Sequence, residues 1–156
     1  NASGLAATLA AAQALATDES RKSVHFVFLP HVNDPESPLL ETAAKFKEMA
    51  AASPMILCVE AMGAAGELWL SSRDTEAVPL GLAKGLGTVR GAETVCLGED
   101  TDLSSILFEI GLPAVRVATR AVVTQDEPDQ QIPPPENVAA SAGRLVELIR
   151  RCHRLP

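Results

Sequence analysis

Short apolar runs recur along this chain, and segments with helical patterns separate them. The four runs are residues 24–29, 55–59, 94–97 and 113–118. Runs of this length bounded by turn-forming residues are typical of buried strands. Strands that alternate with helices predict a mostly parallel sheet covered on both faces, because each parallel connection has to cross the sheet. We therefore expect an α/β fold, a three-layer α/β/α sandwich with a mostly parallel central sheet.

Five segments have apolar residues at helical spacing: residues 2–16, 39–50, 75–86, 104–110 and 138–149. In the first segment, Leu5, Leu9, Ala12 and Ala16 are the predicted apolar face. Gly111 is placed to end the fourth helix. Residues 67–70 alternate in polarity and predict an edge strand. The glycines of residues 81–87 predict a flexible turn.

Composition excludes several classes of function. The 156 residues suit one domain, and 47% hydrophobic residues supply its core. Aromatic residues make up 3% of the chain and the net charge is −7. Single-stranded nucleic acid is bound by stacking aromatics and basic surfaces, so we expect no nucleic-acid partner.

Cysteine usage and hydropathy point to neither a disulfide scaffold nor a membrane span. Cys58, Cys96 and Cys152 are too few and too scattered for a disulfide framework or a zinc cluster. Cys58 and Cys96 sit in apolar runs, so these two thiols are expected to be buried. No apolar stretch reaches the ~20 residues that cross a bilayer. Phosphate-binding loops, dinucleotide fingerprints and Gly-x-Ser-x-Gly elbows are also missing from the sequence.

Five motifs follow one another in an order that resembles a known superfamily. They are Asn-Ala-Ser-Gly at residues 1–4, the strand at 24–30, Leu-Cys-Val-Glu-Ala-Met-Gly at 57–63, Gly-Leu-Pro-Ala-Val at 111–115, and residues 123–129. Their order resembles the zinc aminopeptidase and glutamate carboxypeptidase superfamily. That superfamily also contains non-peptidase relatives such as the transferrin receptor, nicastrin and nicalin.

The resemblance implies a phosphorylase/aminopeptidase-like fold over residues 1–156, a metallopeptidase-like domain without the N-terminal strands of the family. The bridging aspartate and the first ligand histidine of the family would lie upstream of Asn1. An extracytoplasmic or lumenal location is implied by the resemblance alone.

Departures from the family pattern fall at the metal ligands. The positions of the family's paired glutamates fall on His31 and Val32, and the position of its last ligand histidine falls on Val123. The ligand aspartate position falls on Glu60. His31 is a candidate base or an exposed loop histidine. Glu60 is a candidate metal ligand or a hydrogen-bond acceptor at the end of a strand.

Further polar residues lie on loops that the resemblance places near the former metal site. These vestigial-site residues are Asp34, Asp100, Asp102, Ser104 and Thr124. Solvated loop carboxylates are the plainer interpretation, because no regular spacing for calcium is present.

Two functions compete. The first is a non-catalytic aminopeptidase-like domain that binds a protein partner, forms a homo-oligomer or serves as a structural module, with no cofactor. The alternative is a zinc-dependent aminopeptidase or related hydrolase whose upstream ligand segment is absent from this chain. Apolar Val32 and Val123 favour the first, because a zinc ion needs about four donors. An unrelated three-layer domain that shares only Gly-Leu-Pro-Ala-Val is the third possibility.

Overall fold

The computed structural model of the chain describes residues 2–18, 23–28, 47, 55–74, 78–82, 87–90, 103–112, 114–119 and 133–154. The helices with bounds in these ranges are α1 (Ala2–Leu15), α2 (Val78–Leu82), α3 (Leu103–Glu109) and α4 (Pro135–His153). The strands are β1 (Ile56–Val59), β2 (Leu68–Ser71), β3 (Gly87–Arg90) and β4 (Ala114–Ala118).

The four described strands form one mixed sheet in the order β1-β4-β2-β3. β1 runs parallel to β4, with Cys58 opposite Arg116, and β2 runs parallel to β3. β2 and β4 are antiparallel, with Leu70 opposite Val117. The molecule therefore mixes helix and strand, as the alternating pattern predicted, and two of the three described strand pairings are parallel.

One core lies between the sheet and the helices α1 and α4. Successive side chains of a strand point to opposite faces of a sheet. Val115 and Val117 of β4, with Leu68 and Leu70 of β2, all belong to this first core. The helices add small and branched residues, namely Ala7, Ala11 and Leu15 from α1 and Ala142, Leu145, Val146, Leu148 and Ile149 from α4.

A second, smaller core holds the residues that alternate with those of the first. Cys58 of β1 and Ala114 of β4 pack there with Leu107 of α3 and with Leu112. The parity of the strand residues places α3 on the face opposite to α1 and α4.

The helix predicted over residues 2–16 is confirmed as α1, but its buried face is not the one that the leucine spacing indicates. Leu5 and Leu9 are 48% and 52% exposed, whereas Ala7, Ala11 and Leu15 are buried. α1 packs directly against α4, and small side chains let two helix backbones approach closely. The side that faces α4 is therefore the alanine side, which a pattern based on leucines does not identify.

The ends of α3 and α4 follow local rules. Gly111 has a φ of +83°, and the amides of Gly111 and Leu112 donate to the carbonyls of Phe108 and Leu107 at 3.0 and 2.9 Å. This is a Schellman ending, and it confirms the predicted role of Gly111. α4 begins with Pro135, a residue common in the first turn of helices. Its last turn carries Arg150, Arg151 and His153, and basic side chains there interact favourably with the negative end of the helix dipole.

Three strand predictions need correction. Residues 23–28 are not a strand, although Val24 and Phe26 still pack against the first core. β2 is an interior strand of the described sheet and not an edge strand. β3 begins at Gly87, at the end of the predicted turn. The predicted strand at 94–97 and most of the predicted helix at 39–50 lie outside the described residues.

An ion pair joins the end of α1 to α4. Arg150 donates from Nε to Asp18 Oδ2 at 2.9 Å and from Nη2 to Oδ1 at 3.0 Å. These hydrogen bonds, followed by the charge of Arg150, hold the pKa of Asp18 below its usual value.

No helix in the described ranges is both long and apolar enough to cross a membrane.

Candidate functional site

The candidate site lies where the parallel strands β1 and β4 end side by side. Glu60 follows β1 directly, and Thr119 follows β4. The ladder continues one step beyond β1, since the Glu60 amide donates to the Val117 carbonyl at 2.9 Å. Loops at the carboxyl ends of parallel strands are where α/β proteins form their sites.

Glu60 is held by an arginine. Arg116 Nε of β4 donates to Glu60 Oε2 at 2.6 Å. The side chains of Arg116 and Glu60 are only 12% and 24% exposed, so water screens the pair weakly. A guanidinium in contact with the carboxylate opposes a cation at the same oxygen, because the two positive charges repel each other.

The loop of residues 60–66 is tied to the end of β4. Thr119 Oγ1 donates to the Ala61 carbonyl at 2.9 Å and accepts from the Ala64 amide at 3.0 Å. The Thr119 amide also donates to the Ala61 carbonyl at 3.1 Å. One threonine therefore satisfies backbone groups on both sides of Met62.

The first turns of α1 and α4 hold the same loop. Ser3 Oγ accepts from the Met62 amide at 3.1 Å, and Asn137 Nδ2 donates to the Gly63 carbonyl at 3.2 Å. Farther along α4, Arg144 Nη1 donates to the Gly66 carbonyl. Ser3 belongs to the Asn-Ala-Ser-Gly motif, so that motif supports the loop here through a side-chain oxygen.

Gly63 lies where these elements cross closely. A Cβ atom at this position would lie 2.5 Å from Pro133 Cβ and 3.3 Å from Ser3 Cβ. Contacts below 3.0 Å are essentially never seen for a real Cβ. Glycine is therefore required here for close approach and not for an unusual φ.

Two of the predicted site residues are described. Glu60 lies at the site, and its Oε2 accepts a hydrogen bond from Arg116. Ser104 does not lie on a loop: it is buried in the first turn of α3. The other predicted residues, His31, Asp34, Asp100, Asp102 and Thr124, lie outside the described residues together with Val32 and Val123.

The donor set in the described part of the chain does not fit a zinc centre. Within those residues, no group of three or more His, Cys, Asp or Glu side chains is placed to hold a metal ion. Zinc takes about four such donors. The carboxylate of Glu60 contacts the guanidinium of Arg116 instead.

Arg116, Thr119 and Asn137 were missed by the sequence analysis. Arg116 carried a signal, because it interrupts the apolar run Ala-Val-Arg-Val-Ala of β4, and a charge in a buried strand needs a partner. Thr119 and Asn137 carried none, since their bonds span 55 and 74 residues of sequence.

Comparison of the chain with protein-family models, curated proteins and solved structures gives no match. The superfamily resemblance therefore stays an inference from the order of the motifs.

Proposed function

We propose that this chain is a non-catalytic, aminopeptidase-like domain that acts in protein interaction or as a structural module. The observation that carries the proposal is the contact of Glu60 with Arg116 at the position where the resemblance places a metal ligand. A hydrolytic zinc pair needs carboxylates that are available to the ions and to the bridging water. Here the carboxylate of Glu60 accepts a hydrogen bond from Arg116.

The surroundings of Glu60 support the same conclusion. Ser3, Thr119 and Asn137 each bond a different backbone group of the 60–66 loop. These bonds favour a loop with one fixed conformation, which suits a rigid recognition surface. The proposal includes the three-layer α/β/α arrangement of the family, and the two cores on opposite sheet faces support it.

Metal titration tests the proposal. We titrate the purified chain and its Glu60→Gln variant with Zn²⁺ by calorimetry. We expect that no near-stoichiometric zinc site that depends on Glu60 will be found. Arg116→Gln is the informative companion variant, because it takes the competing cation away from Glu60 and keeps a hydrogen-bonding side chain. Stoichiometric zinc that is lost in Glu60→Gln, together with hydrolysis of an aminoacyl substrate, would establish the zinc-hydrolase alternative.

A further inference from the structure

The outer edge of β1 carries backbone groups that do not face β4. In a parallel ladder, alternate residues of one strand direct their N–H and C=O groups toward the same neighbour. Since the Glu60 amide donates to the Val117 carbonyl, the even-numbered residues of β1 face β4. The backbone groups of Leu57 and Val59 therefore point the other way, and no described residue bonds to them.

Two of the features that usually protect an edge are missing from β1. Its sequence, Ile-Leu-Cys-Val, contains no charge and no proline. Natural sheets block open edges with lysine, proline or bulges, because an open edge can pair with another chain. Ile56, Leu57 and Val59 are only half-buried, whereas Ala114, Val115 and Val117 of β4 are fully buried.

The segment 23–28 also borders the first core, and it covers that core only in part. Val24 and Phe26 pack against the first core, as do Leu57 and Val59 of β1. Val27 and Phe28 are 39% and 47% exposed. No backbone hydrogen bond connects this segment to another described residue. The first core is therefore bordered by the outer edge of β1 and by apolar side chains that a further strand would cover.

We propose that the outer edge of β1 is a docking edge for an extended strand of a partner protein. Main-chain bonds to Leu57 and Val59 supply the affinity, and alternate apolar side chains of the added strand join the first core. The net charge of −7 opposes a second copy of this chain and favours a partner strand with basic residues beside its apolar ones. This inference rests on the proposed interaction function and specifies its surface.

Amide hydrogen exchange tests the proposal on the full chain. The probe is a peptide that copies residues 114–119, because that strand already pairs with β1 in parallel, with two lysines added at each end. At millimolar peptide we expect exchange at Leu57 and Val59 to slow at least tenfold. The same peptide with every backbone amide N-methylated is the control, and it should leave both rates unchanged.

A variant checks the edge itself. Val59→Pro removes an outward N–H without removing a bond to β4, and edge positions of this kind tolerate proline. We expect Val59→Pro to abolish peptide binding while the thermal transition is retained. If this variant unfolds, the comparison of the plain and N-methylated peptides still decides the question.

Three results would overturn the inference. The first is unchanged exchange at Leu57 and Val59 with the peptide, and the second is equal protection by the N-methylated peptide. The third is protection of both amides in the chain alone. If that protection rises with protein concentration, a second copy covers the edge; if it does not, the chain covers its own edge. Zinc binding is measured separately, so a failed docking edge and a failed proposed function give different results.

Discussion

Two segments border the first core in opposite ways. Residues 60–66 are bonded by side chains from α1, from α4 and from the residue after β4. Residues 23–28 have no backbone hydrogen bond to another described residue and are held through Val24 and Phe26. Hydrogen bonds to a loop backbone fix one conformation, whereas side-chain burial alone holds a segment near the core without fixing its backbone. The comparison predicts that substitutions near the loop cost the most.

The largest effect is expected at Gly63. Gly63→Ala puts a methyl group 2.5 Å from Pro133 Cβ, so the loop or the entry to α4 has to move. We expect a loss of about 2–3 kcal/mol in the free energy of unfolding, measured by urea denaturation. Gly143→Ala is the control, because nothing lies within 4 Å of its Cβ and it sits inside α4. That variant should gain about 0.5–1 kcal/mol. Equal effects at the two glycines would contradict the tight crossing.

Ser3→Ala should have the next largest effect. It removes the acceptor of the buried Met62 amide and leaves that N–H without its partner. The expected loss is about 1–2 kcal/mol by the same denaturation measurement. Thr17→Ala, which removes an exposed 3.4 Å hydrogen bond near the other end of α1, should cost less than about 0.5 kcal/mol. A neutral Ser3→Ala would show that α1 does not hold the loop.

Residues 23–28 contain one partly buried and one exposed phenylalanine, so substituting each in turn tests whether side-chain burial holds the segment. Phe26→Ala should cost about 1–2 kcal/mol, less than for a fully buried phenylalanine, because Phe26 is only partly buried against the first core. Phe28→Ala should change stability by less than about 0.5 kcal/mol, since Phe28 is 47% exposed. If the two substitutions cost the same, Phe26 does not anchor the segment.

The smallest effect is a pH dependence at the ion pair that precedes this segment. Because Arg150 lowers the pKa of Asp18 in the folded state, the unfolded chain binds the proton more tightly. The stabilisation is complete above the ordinary carboxyl pKa of 3.8 and is lost as the pH falls through the lower folded value. Melting curves of the natural chain and of Asp18→Asn should differ slightly near neutral pH, begin to converge below about pH 4, and coincide once the pH is below the lowered pKa of Asp18. Arg150→Gln should give the same profile, and a difference that persists in acid would exclude this pair as its cause.

Local signals in the sequence were enough for several elements. The apolar run before Glu60 and the run after Gly111 predicted β1 and β4, and the glycine itself predicted the end of α3. In each case the information lies within a few neighbouring residues, so turn chemistry and periodicity suffice.

The remaining features depend on distant partners. β3 reads Gly-Thr-Val-Arg and has little apolar pattern of its own, yet it pairs with β2 along its whole length. The buried face of α1 depends on contact with α4, more than a hundred residues away. At the candidate site, the carboxylate position of Glu60 was foreseen, but its partner Arg116 lies 56 residues away. Tertiary pairing overrides local propensity at these places.

Two buried cysteines, Cys58 and Cys152, make local unfolding of the chain measurable by thiol labelling. Cys58 belongs to the second core and Cys152 to α4, and both thiols are buried. Burial also raises the pKa of Cys152, so less of the reactive thiolate forms at neutral pH. Alkylation of each thiol will therefore follow the exposure of the residues that bury it. In a chain whose Cys96 is replaced by alanine, the two labelling rates will show whether both sides of the sheet open together.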